Sequence, residues 1–320
     1  MALWTLRRLG AAVLLVWLVA TATFVLVSAA PGDLTSRIYD GRIPPEARTR
    51  WRREFGLDRP LTARYAAWLG EAVRGDLGTS WTSFRPVSTL IAERLPATLL
   101  LTSLGLALEL GGGVLLALIQ MRRPHGPGDH ALTLSSLVAY GVPTFLVALV
   151  LLDVFAYRLP LFPPSHLHSP AGESATGWAR LTDLARHLAL PVLTIAITGI
   201  GGVARYVRGS LMDERTQVYV LAARARGLSA RQALWRHALP NALLPLVTMV
   251  GLSLPFLVSG SLVVEVIFAW PGMGRLMYEA ALARDLPVLL GGTVMATAAV
   301  VAGNFMADVL YAVVDPRVRR

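Results

Sequence analysis

The sequence predicts an all-α membrane protein with six transmembrane helices and both termini on the cytoplasmic side. Three observations carry this expectation. The 320-residue chain is 54% hydrophobic and has a mean hydropathy of +0.55, too apolar for a surface that must face water. Six segments reach the roughly 20 apolar residues that a helix needs to cross a bilayer core. The arginines are also unevenly shared between the connections that join those segments.

The first span is Leu9 to Ala29, "LGAAVLLVWLVATATFVLVSA", preceded by Arg7 and Arg8. Its apolar run exceeds the roughly 7 to 15 residues of a secretory signal core, so an uncleaved anchor is expected. The second runs from about Ala97 to Ile119 and the third from about Ala131 to Ala156, with the polar turn "QMRRPHGPGDH" between them. The fourth covers Leu188 to Ala204, the fifth Ala242 to Val264 and the sixth Leu286 to Val313. Pro143, Pro191, Pro255 and Pro287 lie in or at the mouths of these spans and predict kinks.

One side of the membrane collects fourteen arginines: Arg7, Arg8, Arg122, Arg123, the seven from Arg205 to Arg236, and Arg317, Arg319 and Arg320. The short connections on the other side hold five. The positive-inside rule makes the first side cytoplasmic. Residues 30–95 then lie outside despite eleven arginines, which is tolerable because eight acids accompany them and loops above about 60 residues translocate largely regardless of charge. In that segment Leu61, Tyr65 and Trp68 recur at helical spacing, while Gly75, Asp76 and Gly78 read as a turn. Short amphipathic helices are expected there, on the membrane surface or against the spans, with a partner surface as one use.

All thirty basic residues are arginine. A phosphate-binding loop of the GxxxxGK[ST] type needs lysine, so any ATP that drives this chain is hydrolysed on another subunit. The absence of cysteine excludes disulfides, thiolate metal sites and cysteine nucleophiles. The serines have no histidine and acid at a defensible spacing, and no catalytic residue is assigned.

Within the cytoplasmic segment 205–240, "LAARARGLSARQALWRHALPN" carries helix punctuation between two spans. Gly227 stands where a helix through "YVLAARAR" needs a left-handed terminating residue, with Arg224 and Arg226 in the last turn. Ser229 to Gln232 spells S-x-x-Q, a capping box that starts a second short helix ending near Pro240. The product is two helices around a fixed corner. Chemistry alone leaves two uses open: a basic amphipathic element in the headgroup layer, or a docking element for a soluble partner.

The stretch "AARARGLSARQALWRHALPN" resembles the EAA loop of permease subunits in binding-protein-dependent ABC importers. Ala222, Ala223, Gly227, Leu239 and Pro240 match that pattern, whereas Leu221 replaces its glutamate and His237 its usual isoleucine. "FGLDRPLTARYAAWL", "GDLGTS", "LALPVLTIAI", "FAWPGMGRLMYEAALARDLPVL" and "DVLYAVVDPRVRR" resemble the dipeptide, oligopeptide and nickel branch, first-permease-subunit type. The resemblance implies a type I ABC importer permease fold, a single permease domain over 1–320, and a bacterial or archaeal cytoplasmic (inner) membrane. It further implies a homologous second permease subunit, an extracytoplasmic solute-binding protein, and two ATPase subunits that carry ATP and Mg and dock on the EAA loops. This chain itself would hold no cofactor. The coupling residues it implies are Ala222, Ala223, Arg224, Gly227, Ser229, Gln232, Leu239 and Pro240. Di- or oligopeptides are the expected cargo, with nickel, glutathione or oligosaccharides as alternatives. A self-sufficient secondary transporter or channel is the competing class, and it predicts internal repeats that the chain does not display.

Glu109 lies near the middle of the second span, where a carboxyl is costly unless it faces the bundle interior or water. It is a candidate for the translocation pathway or for a structural pair. Asp153 and Asp308, nearer span ends, read as snorkelling or capping groups. His166 and His168 read as solvated loop histidines, because two imidazoles do not close a metal site, and no metal ligand set is assigned. Gly111, Gly112 and Gly113 sit inside a span and read as close helix packing.

Overall fold

The computed structural model describes residues 2–29, 53, 56 and 58–314. Every regular element among them is helical, and the only strand-like pairing is the isolated bridge between Thr79 and Pro86. Most of the expected helices of the segment 30–57 and the arginines of the tail lie outside the described residues.

Chain contacts divide the protein into two compact units, Met1–Thr98 with Pro271–Ala302, and Leu99–Trp270 with Gly303–Arg320. In the first unit, α1 (Ala2–Ala29) is a helix that covers the predicted first span. The short helix α2 (Leu61–Val73) packs on it: Tyr65 and Trp68 meet the Phe24 ring at 5.3 and 5.8 Å, and the Tyr65 hydroxyl bonds Thr21 Oγ1 at 2.6 Å. The predicted spacing therefore has a physical use at Tyr65 and Trp68, while Leu61 stays exposed. Val87, Leu90 and Ile91 at the start of α3 (Val87–Gln120) bury against Met273, Leu276 and Ala280 of α13 (Met273–Ala283) and Val288 of α14 (Leu286–Val314).

Asp285 organises the loop after α2. Its carboxylate accepts from Ser80 Oγ at 2.6 Å, Thr82 Oγ1 at 2.7 Å, and the Trp81 and Thr82 amides at 3.2 and 3.1 Å. Asp285 itself is 1% exposed and directly precedes α14, so one buried acid holds both a helix start and the "GTSWTS" loop.

The second unit is built on α3, α4 (Pro127–Gly141), α5 (Thr144–Leu151, continued by a π turn, Leu152–Arg158), α6 (Pro170–Ser174) and α7 (Gly177–Glu214). Glycines set the approach of α3 to α7. A Cβ on Gly105 would fall 2.8 Å from Ile195 Cγ2, on Gly112 2.8 Å from Ile200, and on Gly113 2.5 Å from Val203. Gly112 and Gly113 thus serve helix packing, and Gly111 faces open space.

Among the described residues, four helices are long and apolar enough to span a membrane: Gly10–Ala29, Val87–Gln120, Gly177–Glu214 and Leu286–Phe305. The third predicted span is not one straight helix. Its two halves, Pro127–Gly141 and Thr144–Arg158, meet at 101°, and the break falls at Val142 and Pro143, where proline disfavours helix in the residue before it. The fifth is likewise bent, by 51° between Ala230–Gly251 and Phe256–Ile267; it comprises α11 (Leu244–Ser259) and α12 (Leu262–Ile267), with Gly260 at φ +76° between these two. Counting each bent pair as one crossing gives the expected six. Thr102 Oγ1 donates to the Leu257 carbonyl at 3.0 Å, close to that second break.

Candidate functional site

The segment after α7 forms two helices around a corner, as its punctuation predicts. α8 (Val218–Ala225) ends in a Schellman arrangement: the Gly227 amide bonds the Arg224 carbonyl at 2.9 Å and the Leu228 amide bonds Ala223 at 3.3 Å. Gly227 has φ +98°, and a Cβ there would meet nothing within 4 Å. The requirement for glycine is conformational rather than steric. Two residues on, Ser229 Oγ accepts from the Gln232 amide at 3.2 Å, and Gln232 Oε1 accepts from the Ser229 amide at 2.9 Å. This is a complete capping box for α9 (Ala230–Ala233).

The second helix does not stop near Pro240. A π turn, Leu234–Ala238, follows α9 and leads into α10 (Leu239–Ala242), which holds Pro240 in its first turn. Proline lacks the amide and clashes with the carbonyl four residues back, and the wider π turn absorbs both defects. The His237 carbonyl accepts from Asn241 Nδ2 at 2.8 Å, with the Tyr219 hydroxyl oxygen 3.4 Å away. The Tyr219 hydroxyl donates to Glu214 at the end of α7. Its burial, followed by the Glu214 carboxylate, pushes the phenol up to about 12.

Two small cores fix the corner. Val220 packs with Ala233, Ala238 and Leu234, so α8 and the second helix hold each other. Leu239 and Ala242 then bury against Val207 and Leu211 of α7 and Ala117 and Met121 of α3. Of the residues singled out by sequence, Ala223 and Leu239 are therefore internal, whereas Ala222, Arg224, Gly227, Ser229, Gln232 and Pro240 lie on the exposed side.

α8 is apolar on a second face as well. Val218, Leu221, Ala222 and Ala225 follow i, i+3, i+4, i+7 spacing and are all exposed, Val218 at 80% and Leu221 at 49%. The buried pair Val220 and Ala223 points the opposite way. Trp235 adds a large exposed ring on the second helix, and Arg224, Arg226, Arg231 and Arg236 are exposed around it.

Glu109 does not join the loop. It stands eleven residues before Gln120, about 16 Å along α3, with its carboxyl laid on Gly199 of α7, where any Cβ would collide with it. It is half-buried. Asp153 pairs with Arg158 at 2.7 Å on an exposed surface, and the side chain of Asp308 lies outside the described residues.

His168 is not solvated. Its Nδ1 contacts Asp183 Oδ2 at 3.0 Å with the side chain 10% exposed, and His187 Nδ1 meets the Asp183 carbonyl at 2.8 Å. His166 turns away and contacts Ser165 Oγ. Among the described residues no group of three histidine or carboxylate side chains has an arrangement that could hold a metal ion. The acid that immobilises His168 is fifteen residues away in sequence, so an H-x-H pattern gives no sign of it.

Sequence reasoning also missed Asp129 and Arg208. Arg208 donates from Nε at 3.1 Å and Nη2 at 2.7 Å to the two Asp129 oxygens, and the His125 amide donates at 2.8 Å. An acid in the first turn of a proline-started helix was the one local signal for this site.

A family model described as the binding-protein-dependent transport system inner membrane component matches residues 87–320, and a model of the N-terminal part of such membrane components matches residues 1–102. The chain belongs to this family of permeases. The permease is 36% identical over 319 residues to the oligopeptide transport system permease protein AppB of Bacillus subtilis, covering 99% of both chains. It is 39% identical over 302 residues to a putative peptide permease protein of Brucella ovis, covering 92% of both. A third relative, the oligopeptide transport system permease protein OppB of Mycobacterium bovis, is 36% identical over 319 residues, with 98% of each chain covered. The permease is thus a multi-pass membrane component of an ABC importer, and the helix-corner-helix after α7 is the segment that resembles the family's EAA loop.

Proposed function

We propose that the permease pairs with a homologous second permease to form a pathway for di- or oligopeptides, and that its helix-corner-helix is the seat of a cytoplasmic ATPase subunit. Peptide cargo is supported by the printed names of relatives aligned over almost the whole chain. ATPases on separate chains, carrying ATP and Mg, are supported by the family match and by the absence of a lysine for a phosphate-binding loop in this chain. A solute-binding protein on the opposite face would deliver the cargo.

The observation that carries the docking assignment is the exposed stripe Val218, Leu221, Ala222 and Ala225. The other face of α8 is already used, through Val220 and Ala223, to hold the corner, so the free face is presented rigidly. Leu239 ties that corner to the base of α3 and α7, which gives a push on α8 a direct route to two long helices. Leu221, where the family pattern has glutamate, makes this contact apolar. Glu109, half-buried within α3, is the pathway candidate.

The chain's lack of cysteine gives a clean test. Leu221→Cys introduces the sole thiol of the permease, and a short bifunctional thiol reagent should join it to an ATPase subunit in native membranes. Ser135→Cys, on the exposed surface of α4, serves as control. Equal cross-linking at the two positions would remove the docking assignment.

A further inference from the structure

The first unit contains a cavity of about 180 Å³ where α1 ends, α2 crosses and α14 begins. Its wall has two chemically distinct halves. Arg59, Arg64 and Glu71 supply the charged half; Phe24, Leu286 and Leu290 supply the apolar one. Trp68 stands between them in the lining. Its indole Nε1–H is buried and has no hydrogen-bond partner, a donor left costly unless the site gains an acceptor.

This distribution follows the depth profile of a bilayer interface. Phe24 and Leu290 belong to membrane-spanning helices, a turn or more inside their ends, and so lie at acyl-chain level. Val25 and Leu26 on other faces of α1 are exposed, 47% and 71%, so the helix that carries Phe24 into the cavity wall also presents an apolar surface. Arg59 lies two residues before α2 and Arg64 in its first turn, outside the spans. Tryptophans 68 and 81 in the lining are the residue type enriched at headgroup level.

We propose that this cavity binds the phosphodiester of a phospholipid, with the guanidinium groups of Arg59 and Arg64 on the phosphate oxygens. The glycerol and first methylenes lie against Phe24, Leu286 and Leu290. The donors in the lining select an anion, because guanidinium and indole N–H groups have no acceptor capacity. Glu71 on the same wall opposes a dianion and suits the single negative charge of a diester. The position of the cavity beside two membrane-spanning helices distinguishes a lipid from a soluble phosphate ester, which has no acyl chain to lie along the exposed apolar surface of α1.

The test uses the full-length permease purified in its complex, delipidated mildly and examined by intact-complex mass spectrometry after exposure to phosphatidylglycerol. The wild-type complex should retain the lipid. Arg59→Gln with Arg64→Gln should lower retention about tenfold or more, and Arg59→Lys with Arg64→Lys should fall between them. Trp68→Phe, a minimal change that keeps the ring packing, should lower it several-fold. Glycerophosphoglycerol and inorganic phosphate, offered as soluble competitors, should leave the retained lipid in place. Unchanged retention in the glutamine and phenylalanine variants would overturn the site, and displacement by either soluble probe would overturn the lipid assignment. If the glutamine variant does not assemble, the lysine and phenylalanine variants carry the same decision through a phosphatidylglycerol-dependent rise in Tm, which should be smaller than in wild type.

Discussion

Arg208 on α7 grips Asp129 with two nitrogens, Nε at 3.1 Å and Nη2 at 2.7 Å, and thereby ties the turn between α3 and α4 to the helix that leads into the helix-corner-helix. Asp129 is 2% exposed at its side chain and Arg208 24%. Removing one partner leaves the other charge without compensation. Asp129→Ala should destabilise the purified protein by about 2–4 kcal/mol, below the full cost for a wholly buried pair because Arg208 keeps some water. Thermal unfolding in detergent measures this. The double variant Asp129→Ala, Arg208→Met should recover part of the loss, and no recovery would mean that the pair does not act as a unit.

Gly227→Val should abolish uptake while membrane insertion, followed by fractionation, stays intact. The residue sits at φ +98° in open space, so the penalty comes from the backbone. A β-branched residue there is strained by more than the ~1–2 kcal/mol of an ordinary L-residue. Gly227→Asn should retain more uptake than Gly227→Val, because asparagine visits this region at lower cost. Equal activity of the two variants would argue against a conformational role for the corner.

Glu109→Gln keeps the shape of the side chain and removes its charge. If the charge lines the pathway, uptake of peptides should fall at least several-fold with ATPase activity of the complex preserved. Gly199→Ala offers an independent perturbation, since its methyl group would displace the Glu109 carboxyl. The two changes should not be additive in uptake assays, because they act on one contact.

Asp285→Ala should free the loop that begins at Ser80. Four donors lose one acceptor, and the loss should reach at least ~3 kcal/mol, as hydrogen bonds to a buried charge are worth about 1.5–3 kcal/mol each. Limited proteolysis should show faster cleavage between Ser80 and Arg85 than in wild type. Asp285→Asn, which keeps one carbonyl acceptor, should cleave at an intermediate rate.

Tyr219 sets a pH expectation. Its phenol is raised from the ordinary value near 10 to about 12 by burial and by Glu214. A group with a raised folded value contributes stability that is complete below the unfolded value and is lost as pH rises through the folded one. The corner should therefore show no dependence on Tyr219 ionisation between pH 6 and 9, and lose stability between about 10 and 12. Phenolate absorbance of wild type minus Tyr219→Phe measures the transition directly.

Local features were legible in the sequence and distant ones were not. The Schellman end at Gly227 and the capping box at Ser229 depend on residues within five positions of each other, so spacing alone specifies them. Pro143 located the break in the third span, but the 101° between its halves follows from packing against α7, where Gly201 admits the Ser136 backbone and Gly202 faces Tyr140. Hydropathy marked Leu188 to Ala204 as a span and overlooked that the helix continues on both sides, because its ends are amphipathic rather than apolar. Asp129 and Arg208 are 79 residues apart, and Ser80 and Asp285 are 205 apart. No single-segment pattern joins such pairs. The exposed stripe on α8 was hidden for another reason: its residues read as ordinary helix formers until the opposite face was seen to be occupied.

The unbroken run of α7 from Gly177 to Glu214 has a mechanical meaning. Thirty-eight residues at 1.5 Å each make a rod of about 57 Å, nearly twice the thickness of a bilayer's hydrocarbon core. Its interior ladder lacks a donor at one place only, Pro191, fourteen residues from the start. Residues 192–214 form the longer arm, about 34 Å ending at the corner, and the missing donor makes Pro191 the place where the rod bends most easily. The shorter arm carries Asp183 and His187, and Asp183 ties that arm to His168 in the preceding loop.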